Sequence, residues 1–129
     1  MIVLYDEQCG FCTWALAWLL RWDRARRLRP VAIQSEEGQA RLASLSPELR
    51  LASWHGIDED GRLLSGGAAL PALLRSLPGA GPLAALAGSA PDLTDSAYRW
   101  VAAHRSQLGR ALPAASKRRA RGLVAQRMH

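Results

Sequence analysis

The stretch Tyr5-Asp6-Glu7-Gln8-Cys9-Gly10-Phe11-Cys12 holds both cysteines of the 129-residue chain and sets them three residues apart. Just before it, Ile2-Val3-Leu4-Tyr5 is a short β-branched and aromatic run without alternation. Such a run predicts a central strand buried on both faces. Just after it, Trp14, Ala15, Trp18, Leu19 and Trp22 fall at i, i+3 and i+4 spacings. That pattern predicts a helix from Cys9 or Gly10 to about Asp23, with the tryptophan stripe packed against a sheet. The cysteines thus stand between a strand and a helix, at the carboxyl end where open α/β sheets carry their sites.

Working outward, Leu28 to Gln34 suits a second strand, with Pro30 at its start or on an edge. Ser35 is placed to cap a helix over Glu36–Leu45, whose two leading glutamates suit the positive end of the dipole. Leu49 to Ile57 alternates as a strand does, and Asp58-Glu59-Asp60-Gly61 turns it into Arg62-Leu63-Leu64-Ser65 as a β-hairpin. Gly66-Gly67 then admits a helix from about Ala68 to Leu77, and Leu83–Gly88 reads as a short one. Asp92 or Thr94 is placed to cap a last helix in which Ala97, Trp100, Val101 and His104 share a face. A βαβ start followed by a hairpin and C-terminal helices is the thioredoxin-like α/β arrangement, a three-layer fold.

Composition is consistent with one such domain. A content of 49% hydrophobic and 22% charged residues is that of an ordinary globular chain, and two cysteines are too few for a disulfide framework. The apolar run Trp14–Leu20, closed by Arg21 and Asp23, falls short of the ~20 residues of a spanning helix. Asp6 and Glu7 follow the first strand at once, where a secretory signal requires a longer apolar run. A cytoplasmic protein is therefore expected, and there a lone Cys-x-x-Cys pair is redox-active or metal-binding. Sixteen of the seventeen basic residues are arginine, and the basic residues also cluster: residues 96–129 carry eight and no acid, while residues 1–95 carry nine against eleven acidic ones. Arginine over lysine together with abundant alanine suggests a bacterial source of high GC content. Residues 1–109 are expected to form the domain and residues 110–129 a flexible basic tail, with weak polyanion contact but no specific nucleic-acid motif.

The chemistry expected of the pair follows from the helix start. A thiol of pKa near 8.5 is only ~3% ionised at pH 7, whereas one near 6 is ~90% ionised. Cys9, at the first turn, faces unpaired amides and the positive dipole end, and Cys12 lies a turn deeper. Cys9 is accordingly the attacking thiolate and Cys12 the resolving thiol of a thiol–disulfide exchange. Asp6 has two readings, a cap on the amides near residues 8 and 9 or a proton shuttle to Cys12. Tyr5, Gly10 and Phe11 support the site, and no organic cofactor or metal is expected beyond a Cys9–Cys12 disulfide. The disulfide substrate and the electron donor are not legible. Two other classes stand beside this one: a non-catalytic, redox-switched binding module that uses the Trp-bearing helix and the basic tail, and a zinc site shared between subunits.

Asp6-x-x-Cys9-Gly10-Phe11-Cys12, with Leu19-Leu20-Arg21-x-Asp23 and Leu28-Arg29-Pro30, resembles the DCC family of predicted thiol–disulfide oxidoreductases. The hairpin Gly61–Gly66 and the late Tyr98-Arg99-Trp100-Val101-Ala102-x-His104-Arg105 extend the resemblance over roughly residues 2–106. It departs at Glu7, where members often have Gly, and at His104, where Asn is common. The resemblance implies a thioredoxin-like fold and a dithiol reaction class without naming a substrate.

Overall fold

A computed structural model describes residues 1–128. Strand β1 (Ile2–Tyr5) leads through a turn into α1 (Gly10–Trp22), β2 (Arg29–Ala32), α2 (Glu36–Arg41), α3 (Pro47–Ala52), β3 (His55–Ile57) and β4 (Leu63–Ser65). A 3-10 turn (Gly66–Ala69) then opens the helical half: α4 (Leu70–Arg75), α5 (Gly81–Ser89), α6 (Pro91–Ala111) and α7 (Ala114–Arg127). The four strands lie in the order β2-β1-β3-β4, with β1 parallel to β2 and antiparallel to β3, and β3 antiparallel to β4. This mixed α/β architecture is compatible with a thioredoxin-like fold.

β1 is central, as its unbroken apolar run predicts, and alternation along it feeds two apolar clusters. Val3 and Tyr5 join Leu16, Ala17 and Leu20 of α1, Leu73 of α4, and Ala120 and Val124 of α7. Leu4 joins Val31, Ile33 and Leu42 in the other cluster.

Cap chemistry decides several boundaries. Ser35 Oγ accepts the Gly38 amide at 3.0 Å and starts α2 as expected, but α2 stops at Arg41, where Arg50 Nε donates to the Leu42 and Leu45 carbonyls. The strand expected from Leu49 is a helix up to Ala52. Ser46 Oγ accepts the Leu49 amide at 3.3 Å, Pro47 occupies the first turn, and Leu49 and Leu51 are 55% and 43% exposed. A Ser-Pro-Glu start outweighs two-residue alternation that has no core to face. Only His55–Ile57 remains as strand, and the Asp58 carboxylate closes the hairpin by accepting the Asp60 and Arg62 amides. Neither Asp92 nor Thr94 caps α6. Pro91 opens it, and Thr94 Oγ1 donates to the Ala87 carbonyl at 2.9 Å.

Two larger differences concern faces. The tryptophan stripe is not the core side of α1: Thr13, Leu16, Ala17 and Leu20 are buried, while Trp18 is 60% exposed. The smaller residues line the side that receives both the sheet and α7. The segment after Pro113, expected to be a loose tail, is a helix docked on α1 through buried Ala120 and Val124. It is anchored by Arg127, whose guanidinium meets the fully buried Asp23 carboxylate at 2.6 Å and the Leu20 carbonyl at 3.0 Å. Asp23 in turn accepts the Arg27 and Leu28 amides, so one carboxylate ties the end of α1, the turn into β2 and the end of α7 together. Among the described residues no helix is long and apolar enough to cross a membrane.

Candidate active site

The chain leaves β1 at Tyr5 and must turn before α1 can begin. Asp6 makes that turn. Its Oδ1 accepts the Gln8 amide at 3.0 Å and Gln34 Nε2 at 2.6 Å, and its carbonyl accepts the Cys9 amide at 3.1 Å. Gln34, just past β2, also accepts the Glu7 amide through Oε1 at 3.2 Å, so the loop before the cysteines is held from the neighbouring strand.

Cys9 is the N-cap of α1, with an extended backbone and a side chain that accepts the Cys12 amide at 3.3 Å. Sulfur here takes the place that a serine or aspartate oxygen holds at other helix starts. An N-cap acceptor is favoured as an anion because it faces unpaired amides and the positive end of the dipole. The Cys12 thiol also donates to the Cys9 sulfur, and this bond, the Cys12 amide and the Arg105 charge lower the Cys9 pKa to about 6 against burial and the Asp6 carboxylate. Cys12 moves the opposite way: its bond to Cys9, burial and the Cys9 negative charge all hold its proton on, and only Arg105 favours its anion. Both cysteines are half-buried and unbridged.

The two sulfurs face different surroundings. Cys12 borders an apolar cavity of about 230 Å³ that includes Phe11, Ala15, Trp54, Tyr98, Val101 and Ala102. Cys9 borders a polar groove of about 400 Å³ that includes Asp6, Arg105, Arg110, Lys117 and Arg121. Arg105 belongs to both. Two close approaches bring α6 and α7 to this place. A Cβ on Gly109 would stand 3.3 Å from the Phe11 nitrogen, and one on Gly10 would stand 3.0 Å from the Lys117 side chain. Glycine at both positions lets the helices close on the first turn of α1.

Of the residues expected at the site, Asp6, Cys9, Gly10, Phe11 and Cys12 are together. Asp6 has the hydrogen bonds of the turn-forming reading, and Gly10 receives the stem of Lys117. Phe11 lines the cavity beside Cys12 and packs on Trp14 with ring centroids 6.0 Å apart. Tyr5 is buried in the core and its hydroxyl donates to Met128 Sδ at 3.7 Å. His55 is buried with both ring nitrogens engaged, by Ser65 Oγ at 2.6 Å and the Arg50 carbonyl at 3.0 Å. Among the described residues no three His, Cys, Asp or Glu side chains converge as a metal set would.

Besides the cations of the basic C-terminal region, Gln34, Trp54, Tyr98 and Arg105 contribute to the site without having been placed there by the sequence reading. The Tyr98 hydroxyl accepts the Trp54 amide at 3.0 Å, which fastens α6 to the segment before β3. A signal for two of them exists, since Tyr98, Val101, Ala102 and Arg105 follow i, i+3, i+4, i+7 spacing. The expected face of Ala97, Trp100, Val101 and His104 is instead divided. Val101 turns to the cavity, while Trp100 is 59% exposed and stacks on His104 with centroids 4.3 Å apart.

The family model described as DCC1-like thiol-disulfide oxidoreductase matches residues 3–111. That span includes the whole strand-to-helix site and Arg105, and it ends before α7. Against curated proteins and solved structures the chain has no match.

Proposed function

Because the chain belongs to the DCC1-like thiol-disulfide oxidoreductase family, we propose that it performs dithiol–disulfide exchange with Cys9 as attacking sulfur and Cys12 as resolving sulfur. The observation that carries this reading is the capped sulfur: Cys9 Sγ receives the Cys12 amide at 3.3 Å at the mouth of α1. Its thiolate attacks one sulfur of a substrate disulfide, which forms a mixed disulfide and expels the other half as a thiolate. The largest influence holding the Cys12 proton is the hydrogen bond to Cys9, followed by burial and the Cys9 charge, and the bond and the charge disappear once Cys9 is bonded to substrate. Arg105 then favours the Cys12 thiolate, whose proton passes to the departing thiolate or to water. Cys12 attacks Cys9 Sγ, the second substrate thiolate leaves, and the Cys9–Cys12 disulfide remains. The dithiol loses two electrons and the substrate disulfide gains them; the reverse sequence oxidises a substrate dithiol.

Asp6 serves this reaction by shaping the turn, and its negative charge works against the Cys9 thiolate. The apolar clusters on the two faces of the sheet support the three-layer form of the fold, with the dithiol at the carboxyl end of β1. The test is a pH titration of alkylation on the wild type, Cys9→Ser and Cys12→Ser. Only the thiolate reacts, so Cys9 alkylation should rise as pH passes about 6 and level off above it, while Cys12 stays slow throughout. Two thiols titrating together near 8.5, with no dithiol couple against a glutathione buffer, overturn the proposal.

A further inference from the structure

The groove beside Cys9 bears on the choice of substrate. Cys9 opens on it and Cys12 does not, so the groove is a surface that a molecule meeting the attacking sulfur can occupy. Arg105 and Arg110 come from α6, and Lys117 and Arg121 from α7. Among the described residues none of these four lies within ion-pair distance of a carboxylate. Arg105 donates to the Leu51 carbonyl and Lys117 to the Gly109 carbonyl, contacts that hold them in place without cancelling their charge. The one carboxylate in the groove is Asp6, which is occupied by Gln8 and Gln34. With Asp6 and the Cys9 thiolate both negative, four cations leave the groove with an excess of two positive charges.

We propose, resting on the exchange reaction above, that this groove selects disulfides bearing carboxylates, and that small anionic disulfide molecules are the substrate class. A volume of about 400 Å³ suits a small organic molecule. Two cationic helices flanking a single attacking sulfur orient a molecule whose negative groups lie on either side of its S–S bond. Arg105 and Arg110 lie within the span matched by the family model, whereas Lys117 and Arg121 lie beyond it, so the last helix supplies half of the groove's positive charge. In the reaction Cys9–S⁻ forms a bond to one sulfur of the carboxylated disulfide, the S–S bond breaks, and one carboxylated thiolate leaves. Cys12 then releases the other, so one disulfide is reduced to two thiols as the protein dithiol becomes a disulfide.

Pre-reduced full-length protein is mixed, in single turnover, with 3,3′-dithiodipropionate (two carboxylates), bis(2-hydroxyethyl) disulfide (neutral) and cystamine (two ammonium groups). Each rate is divided by the rate of the same disulfide with dithiothreitol, which removes differences in leaving group. The normalised rates should fall in that order, with about tenfold or more between the extremes at low ionic strength. The spread should shrink as salt passes ~0.15 M, where screening acts within about 8 Å. The exposed pair Arg110→Gln/Arg121→Gln should lower the anionic-to-neutral ratio by about threefold or more, whereas Arg75→Gln, remote from the groove, should leave it unchanged. Reduction of all three at equal normalised rates, or a reversed order, overturns the anionic preference and leaves the exchange reaction standing. No reduction of any of them removes the reaction itself, and the preference with it.

Discussion

The two cysteines share one turn of one helix, yet one is built to ionise and the other to keep its proton. Cys9 caps the helix, receives the Cys12 amide and opens on a groove of arginine and lysine. Cys12 lies inside the first turn, against Phe11, Tyr98 and Val101. The difference teaches that a Cys-x-x-Cys pair takes its direction from the helix start: the first sulfur gains amides and a dipole, and the second loses water. The same bond that stabilises the Cys9 anion holds the Cys12 proton, so each role enforces the other.

The strongest way to break this asymmetry is to exchange each sulfur for oxygen. Cys9→Ser should reduce disulfide turnover to background. Cys12→Ser should still complete the first attack and accumulate a mixed disulfide, visible as the added mass of half a substrate. Trapping in Cys9→Ser instead would invert the assignment.

Next in size is the anchor of the groove. Arg127→Ala leaves the buried Asp23 carboxylate without its ion pair, which should cost about 3–5 kcal/mol, read as a lower urea midpoint with an unchanged slope. Because α7 supplies Lys117 and Arg121, this change should alter the surroundings of Cys9 more than those of Cys12.

Arg105 tests what the two sulfurs share. Arg105→Gln should slow Cys9 alkylation below neutral pH by about 3–10-fold and slow the resolving step as well, since its charge favours both thiolates. A change confined to one step would mean that the guanidinium serves only that sulfur. The smallest effect sharpens the role of Asp6. Asp6→Asn keeps an oxygen for the Gln8 and Gln34 bonds and removes a charge that opposes the Cys9 thiolate, so alkylation near pH 6 should rise by about twofold. If the resolving step slows by tenfold instead, the carboxyl is moving the Cys12 proton.

Some expectations held because their causes are local. The buried run Ile2–Tyr5, the helix from Gly10, the serine cap on α2 and the Asp58 turn each depend on a few consecutive residues. The alternation of Leu49 and Leu51 misled because period is only a proxy for burial, and Ser46-Pro47 supplied a helix start that needs no buried face. The tryptophans misled likewise: a stripe shows which residues share a side, and not which side the rest of the chain will cover.

From the sequence alone came the strand–turn–helix setting of Cys9-Gly10-Phe11-Cys12, the proposed order of the two thiols and the reaction class, since amide geometry and the helix dipole act within one turn. Only the tertiary structure decided what stands across from them. Asp23 and Arg127 are 104 positions apart in the chain, and Arg105 and Lys117 reach the dithiol from helices that begin at Pro91 and Ala114. Their placement depends on how α6 and α7 close on the first turn of α1 through Gly109 and Gly10, a packing solution of the whole chain that no local pattern encodes.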